Sequence, residues 1–249
     1  MTPEEIFYAL FSDLPRCGPG SDASTRKAFS LLPQLPPEPQ VLDIGCGPGM
    51  QTLEVARLCG DGKVTAVDNH APFLEEVRHR AEKADLSDRI ETLQADMAAL
   101  PFPEESFDLV WSEGALYNMG FDKALVEMRR FLKPGGCLAA SELTWLTDSP
   151  PDPVRAFWER EYPAMRNTAK NLALFEKAGY DVLGSFALPA EDWWTSFYTP
   201  LLLRLERFEK EYAGLKEVQP IFETNREEIE LHRRFPETYG YVFFIARKR

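Results

Sequence analysis

Residues 41–49 read VLDIGCGPG, an apolar strand pattern running straight into a loop with glycine at every second position. Gly45, Gly47 and Gly49 lack a Cβ, so the backbone there can take φ > 0 turns and let a ligand approach it closely. A helical pattern resumes at Met50, and the first-turn N–H groups of such a helix point at whatever lies above the loop. Asp43 sits just before the first glycine, and Asp68 ends the next strand-like run, VTAVD. Strand, glycine turn, helix and second strand together describe a site for a nucleoside cofactor.

The acid discriminates between cofactors. A dinucleotide fingerprint has the spacing GxGxxG, its third glycine allowing close helix–strand packing beneath a pyrophosphate. Counted from Gly45, that third position is Met50. A carboxylate at Asp43 would repel a pyrophosphate, whereas it suits a ligand carrying an amino group and a sulfonium. A nicotinamide oxidoreductase is therefore disfavoured, and a glycine-rich turn with no ligand is the plain alternative at this point. The residues resemble motif I of the class I S-adenosylmethionine-dependent methyltransferases, which often read (V/L)-L-(D/E)-x-G-x-G-x-G.

Downstream spacing extends the resemblance. The stretch 70–84 carries Phe73, Val77, Ala81 and Ala84 at helical spacing, a short strand follows over 89–94, and Ala95, Asp96 and Met97 come next. LPFPEESFDLVWS (100–112) is similar to the P-F-x-x-x-S-F-D-hydrophobic-V pattern of the ubiquinone-biosynthesis-like branch, and FLKPGG (131–136) to the turn into the fifth strand. The resemblance covers about residues 41–143 and implies S-adenosylmethionine as cofactor. It assigns the ribose hydroxyls to Asp68, with Asn69 beside it, the adenine amino group to Asp96, and contact with the adenine face to Met97. Asp43, Gly45, Cys46, Gly47, Gly49 and Ser112 complete the cofactor-binding set it implies.

A chain of 249 residues with 44% hydrophobic content can bury a full core in one large domain, or in one with an appended cap. No run approaches the ~20 apolar residues of a membrane span, and the acidic start MTPEEIFYALF lacks a signal peptide's basic residues and cleavage site. Cys17, Cys46, Cys59 and Cys137 show no CxxC or other metal spacing, so no metal site is expected and reduced thiols in a cytoplasmic protein are the simplest reading. The net charge of −12 argues against a nucleic-acid substrate, because counterion release needs a basic footprint. Arg129-Arg130, Arg233-Arg234 and the terminal Arg247-Lys248-Arg249 read as solvated helix faces and a tail.

Strand and helix patterns alternate through the middle of the chain, which predicts an α/β fold. Strands are expected near 40–44, 63–68, 89–94, 106–112 and 136–144, with helices near 50–59, 70–84 and 121–132 between them. Further strands are expected at 180–188 and 239–247. The resemblance implies a Rossmann-like class I methyltransferase fold: a mostly parallel seven-stranded sheet with helices on both faces, the seventh strand antiparallel between the fifth and sixth. Before the core, helices are expected at 2–13 and 22–32, the second capped by Ser21 or Asp22. The single domain then divides into a helical N-terminal lid (1–36), a cofactor-binding core (37–188), a helical insertion or cap (189–236) and the last strand (237–249). Leu201, Leu205, Phe208 and Tyr212 form an amphipathic stripe that needs a surface to cover. The C-terminal edges of the strands are one such surface, and a homodimer interface is the rival use.

Methyl transfer from a sulfonium is an in-line displacement in which the protein mainly aligns the acceptor and excludes water, so no conspicuous catalytic residue is required. Substrate-positioning candidates follow the fourth strand. Glu113 would orient an amine, accept a proton, or merely cap the next turn. Tyr117 and Asn118 combine an apolar wall with polar tips. Arg16 reads as a solvated loop arginine, with an acidic substrate or the cofactor carboxylate as the rival reading. Trp145, Trp193, Trp194 and Tyr198 are either core anchors or walls for a cation. His70 is placed beside the ribose, and His79 and His232 at the surface. The expected function is S-adenosylmethionine-dependent methyl transfer to a small-molecule acceptor. The alternative is a sensor or adaptor that binds the same cofactor without turnover.

Overall fold

The computed structural model describes residues 1–249. Helices α1 (Pro3–Ser12) and α2 (Asp22–Ser30) precede the sheet. Thr2 and Glu5 exchange a reciprocal capping box on α1, and the Ser21 hydroxyl, rather than Asp22, caps α2 by accepting from the Ser24 N–H at 3.2 Å. The chain then alternates β1 (Gln40–Ile44), α3 (Met50–Leu58), β2 (Lys63–Asp68), α4 (Ala71–Lys83), β3 (Ile90–Gln94), β4 (Phe107–Glu113), α5 (Phe121–Phe131) and β5 (Leu132–Trp145). It continues through α6 (Asp152–Glu161), β6 (Arg166–Asn167), α7 (Thr168–Lys177) and β7 (Tyr180–Ala187). Last come α8 (Ala190–Trp193), a π-turn at Trp194–Tyr198, α9 (Thr199–Glu211), α10 (Gln219–Arg234) and β8 (Tyr239–Lys248).

The sheet order is β3-β2-β1-β4-β5-β8-β7, with β8 antiparallel to both neighbours. Central β1 and β4 are buried on both faces, as strands of a doubly covered parallel sheet must be, whereas edge strand β7 alternates exposed and half-buried residues after Tyr180. The winding reverses between β1 and β4, which opens a crevice at their carboxyl ends. Two expectations need correction. The sheet has eight strands rather than seven, because Arg166–Asn167 pairs with Thr144 and Trp145 at the end of β5. The fifth strand begins at Leu132, since Leu132 pairs with Phe107 and a register irregularity absorbs the Pro134–Gly136 turn before Cys137 meets Leu109.

Two apolar cores fill the two faces of the sheet. A third, of 21 buried residues, sits over the C-terminal edge and joins α1, α6, α9 and α10 to Leu143 of β5 and Tyr239 of β8. Leu201, Leu205 and Phe208 are buried in it and Tyr212 packs against it, so the stripe covers the chain's own sheet edge and is not left as a dimer surface. His232 is not at the surface either. It is buried and stacks on Trp193 at 4.3 Å, because α10 lays it against the start of the insertion. No helix is long and apolar enough to cross a membrane.

Candidate functional site

The glycine loop lies at the reversal of the sheet. Gly45 and Cys46 donate their N–H groups to the Val67 carbonyl at 2.8 and 3.0 Å, which ties the loop to β2. Gly45 has φ +67°, and a Cβ there would stand 2.3 Å from the Ala115 Cβ. Gly49 has φ +86°, and its Cβ would stand 2.6 Å from a Val77 methyl group. Both positions combine a left-handed backbone with a neighbour that leaves no room, so no larger residue fits. Gly49 supplies no side chain to cap α3, whose first-turn N–H groups stay available.

Three carboxylates stand at or just past the ends of β1, β2 and β3. Asp43 is fully buried; its Oδ2 accepts from the Thr52 hydroxyl at 2.6 Å, and its Oδ1 has no partner. Burial pushes its carboxyl up to about 7. Asp68 accepts the Gly47 N–H at 2.9 Å on one oxygen and the His70 N–H at 2.9 Å on the other, and burial raises it too. Asp96 is exposed and accepts the Ala98 N–H at 2.9 Å, while the Met97 methyl lies 3.8 Å from the Cβ position of Gly45. The Ser112 hydroxyl is buried and donates to the Ile44 carbonyl at 2.8 Å. Cys46 is buried, whereas Asn69 is exposed and uses its carbonyl to accept from Gln94. The loop glycines, Asp43, Asp68, Met97 and Ser112 therefore converge.

The N-terminal segment crosses the same opening. Tyr8 stacks on His70 at 4.0 Å, Arg80 donates to the Pro15 carbonyl at 3.1 Å, and the Cys17 thiol lies 3.7 Å from the Cβ position of Gly47. Burial pushes that thiol up to about 12. Arg204 of α9 holds the far end of α1, donating to the Leu10 carbonyl at 2.6 Å, the Ala9 carbonyl and Asp13.

Arg16 overturns its solvated reading. It is buried, and its guanidinium bridges Glu113 at 2.9 Å and Asp22 at 3.0 Å. Glu113 also accepts from the Thr25 hydroxyl at 2.8 Å and the Trp111 indole at 3.0 Å. With three donors on its two oxygens, Glu113 is occupied in anchoring the N-terminal segment and is not presented as a free base. Asn118 is similarly engaged, its amide donating to the Ala115 carbonyl of its own turn at 3.0 Å. Tyr117 alone of the three candidates faces other functional groups, its ring 5.7 Å from that of Tyr162.

Residues that the motifs did not mark stand behind Tyr117. Glu142, near the end of β5, is buried; its Oε1 accepts from the Tyr162 hydroxyl at 2.6 Å and its Oε2 has no partner. Burial pushes it up to about 8, against the pull of the Tyr162 hydrogen bond. Glu228 of α10 accepts from the Tyr198 hydroxyl at 2.7 Å and is pushed by burial up to about 7. The available signal was a single charged residue in an otherwise uncharged strand segment, LAASELTW. Two clefts of about 510 and 410 Å³ lie at the opposite, N-terminal edge of the sheet, one lined by Arg129, Arg130 and Lys248 and the other by the 32–39 connector. Neither touches the glycine loop.

Residues 41–136 match the methyltransferase-domain family. Over 239 residues, 91% of this chain and 84% of the relative, the sequence is 34% identical to the 27-O-demethylrifamycin SV methyltransferase of Amycolatopsis mediterranei. A stretch of 106 residues is 42% identical to the ubiquinone/menaquinone biosynthesis C-methyltransferase of Hahella chejuensis, covering 42% of this chain and 43% of that one. A Geobacter sulfurreducens S-adenosylmethionine-dependent methyltransferase solved with S-adenosyl-L-homocysteine has the same fold, at TM-score 0.82 over 98% of both chains and 20% identity. The chain belongs to the class I S-adenosylmethionine-dependent methyltransferases. It is an enzyme using that cofactor, and the sensor without turnover is set aside.

Proposed function

We propose that the chain moves a methyl group from S-adenosylmethionine to a small organic acceptor held between the carboxyl ends of β4 and β5 and the helical insertion. The observation that carries this reading is the buried, unpartnered Oδ1 of Asp43 beside a left-handed glycine loop that opens α3 with its first-turn N–H groups uncapped by any side chain. The donor set fits the cofactor. Asp43 offers an acceptor to its amino end, and Asp68 keeps a lone pair on each oxygen for a ribose diol after its two backbone contacts. The open oxygen of Asp96 suits the adenine amino group, with Met97 as an apolar wall, while the Gly47, Gly49 and Cys46 backbone and Ser112 shape the floor.

When bound, the sulfonium supplies the electrophilic methyl group and its leaving group. The protein's part is positioning and dehydration. α1 and the Arg16–Gly20 segment close over the loop, and Glu113 keeps them there through Arg16 and Thr25. Tyr117 stands at the acceptor side. The net charge of −12 weighs against a nucleic-acid acceptor, and four unpaired cysteines suit a reducing, cytoplasmic setting. A homodimer would have to use a face other than the 201–212 stripe.

Titration calorimetry with S-adenosylhomocysteine and, separately, NAD tests the cofactor assignment. Binding of the first and silence with the second is expected, and no heat with S-adenosylhomocysteine overturns the reading.

A further inference from the structure

Above the carboxyl end of β5, the buried carboxylate of Glu142 and the half-buried one of Glu228 lack any cationic partner. Glu142 and Glu228 each hold one hydrogen bond from a tyrosine hydroxyl and form no ion pair with a lysine, arginine or histidine. Arg166 of β6 acts on Glu142 only through space. A buried carboxylate oxygen without a donor is costly, and Glu142 Oε2 is such an atom.

The surroundings are aromatic. The Tyr117, Tyr162 and Tyr241 phenols all lie within the field of Glu142, and those of Tyr117 and Tyr241 also within that of Glu228. Tyr117 is 38% accessible, and its ring lies 5.7 Å from that of Tyr162, whose hydroxyl holds Glu142, so the tyrosine cluster runs from the protein surface to the buried carboxylate. Tyr241 packs within 3.1 Å of the Cβ position of Gly114, just past β4, so the cluster adjoins the turn that follows that strand.

We propose that this tyrosine cluster receives the methyl acceptor, that the acceptor is an organic amine, and that the free oxygen of Glu142 takes the proton from its nitrogen. The inference rests on the methyltransferase reading and specifies its acceptor. An ammonium donates to Oε2, stabilises the ionised form of Glu142, and is held by tyrosine faces. It has no lone pair while protonated, so the proton passes first from nitrogen to Glu142. The freed lone pair then forms the nitrogen–methyl bond as the sulfur–methyl bond breaks, and the bonding pair remains on sulfur as a neutral thioether. A carboxyl raised to about 8 is better matched to an amine than an ordinary carboxylate. An anionic acceptor would meet two carboxylates.

The test uses the full chain saturated with S-adenosylhomocysteine, with benzylamine and 4-methylphenol as probes of similar size followed by calorimetry. Benzylamine is expected to bind at least tenfold more tightly than 4-methylphenol. Its affinity is expected to rise between pH 6 and pH 8.5, as Glu142 and Glu228 ionise while the amine stays charged. Glu142→Gln keeps the shape and the Tyr162 contact, and is expected to lose tenfold or more in benzylamine affinity and to flatten the pH curve, with S-adenosylhomocysteine affinity within twofold of wild type. Should that variant fold poorly, Tyr162→Phe removes a hydrogen bond that lowers Glu142 and is expected to move the curve to higher pH. No benzylamine binding, a preference for 4-methylphenol, or an unchanged Glu142→Gln overturns the amine acceptor while leaving the methyltransferase reading intact. Failure of wild type to bind S-adenosylhomocysteine overturns that reading and the inference with it.

Discussion

Arg16 and Glu113, 97 residues apart in sequence, form a buried ion pair at 2.9 Å that ties the N-terminal segment to the carboxyl end of β4. The end of β4 is where the sheet reverses, so one contact links the covering segment to the floor of the site. Removing the cation leaves Glu113 buried with only two neutral donors, and breaking such a pair costs about 3–5 kcal/mol. Arg16→Met is expected to lower the urea midpoint accordingly. Glu113→Gln, which keeps acceptor and shape, should cost less. Equal, negligible losses would remove the pair from its anchoring role.

Asp68→Ala tests the ribose assignment. Loss of a charge-assisted hydrogen bond is worth about 1.5–3 kcal/mol, or tenfold and more in affinity. Because Asp68 also holds the Gly47 and His70 N–H groups, Asp68→Asn provides a milder comparison. Calorimetry with S-adenosylhomocysteine reads both, and wild-type affinity in the alanine variant would displace Asp68 from this role.

Gly45→Ala tests the floor. The new Cβ would sit 2.3 Å from the Ala115 Cβ at a φ of +67°. Overpacking of about 1–3 kcal/mol and a left-handed penalty of about 1–2 kcal/mol predict a lower thermal midpoint together with lost cofactor binding. Gly60→Ala supplies a control for strain alone, since its φ is +59° and open space surrounds it.

Unliganded stability is expected to fall as pH rises from about 5 to 8.5. Asp43, Glu228 and Glu142 are raised by burial to about 7, 7 and 8. A carboxyl raised in the folded state binds protons that the unfolded chain has released. Its stabilisation is complete below the ordinary carboxylate range and is lost as pH climbs to the folded value. His232, lowered to about 4 by burial, opposes this trend on the acid side because the unfolded chain takes up its proton first. Thermal melts across this range should show a shallower slope in Asp43→Asn, and an unchanged slope would count against the burial of that carboxyl.

The donor half of the molecule was largely legible because its chemistry is local. Asp43, the glycines and Asp68 fall within one strand–turn–helix–strand unit, and their spacing alone places them on one side of the sheet. Glu113 was legible in position but not in role, since the donors that consume it come from Arg16, Thr25 and Trp111 on three separate segments. Glu142 and Glu228 carry no local signal for the same reason. One lies in a strand and the other on a helix whose charged neighbours read as a solvated face, and only tertiary packing brings them to the same tyrosines. His232 differs from the exposed His79 by nothing in its local pattern, and its burial follows from Trp193 lying against α10.

The helices between β7 and β8 leave and rejoin the sheet on adjacent strands, Ala187 pairing with Val242 and the Leu188 N–H reaching the Tyr241 carbonyl at 2.8 Å. Such a segment is a closed excursion. It can lengthen, shrink or be replaced without rethreading any strand, and each doubling of loop length costs only about 0.6 kcal/mol in closure entropy. The donor loop and the acceptor cover are thus separable parts of one chain, joined only through the buried core over the sheet edge.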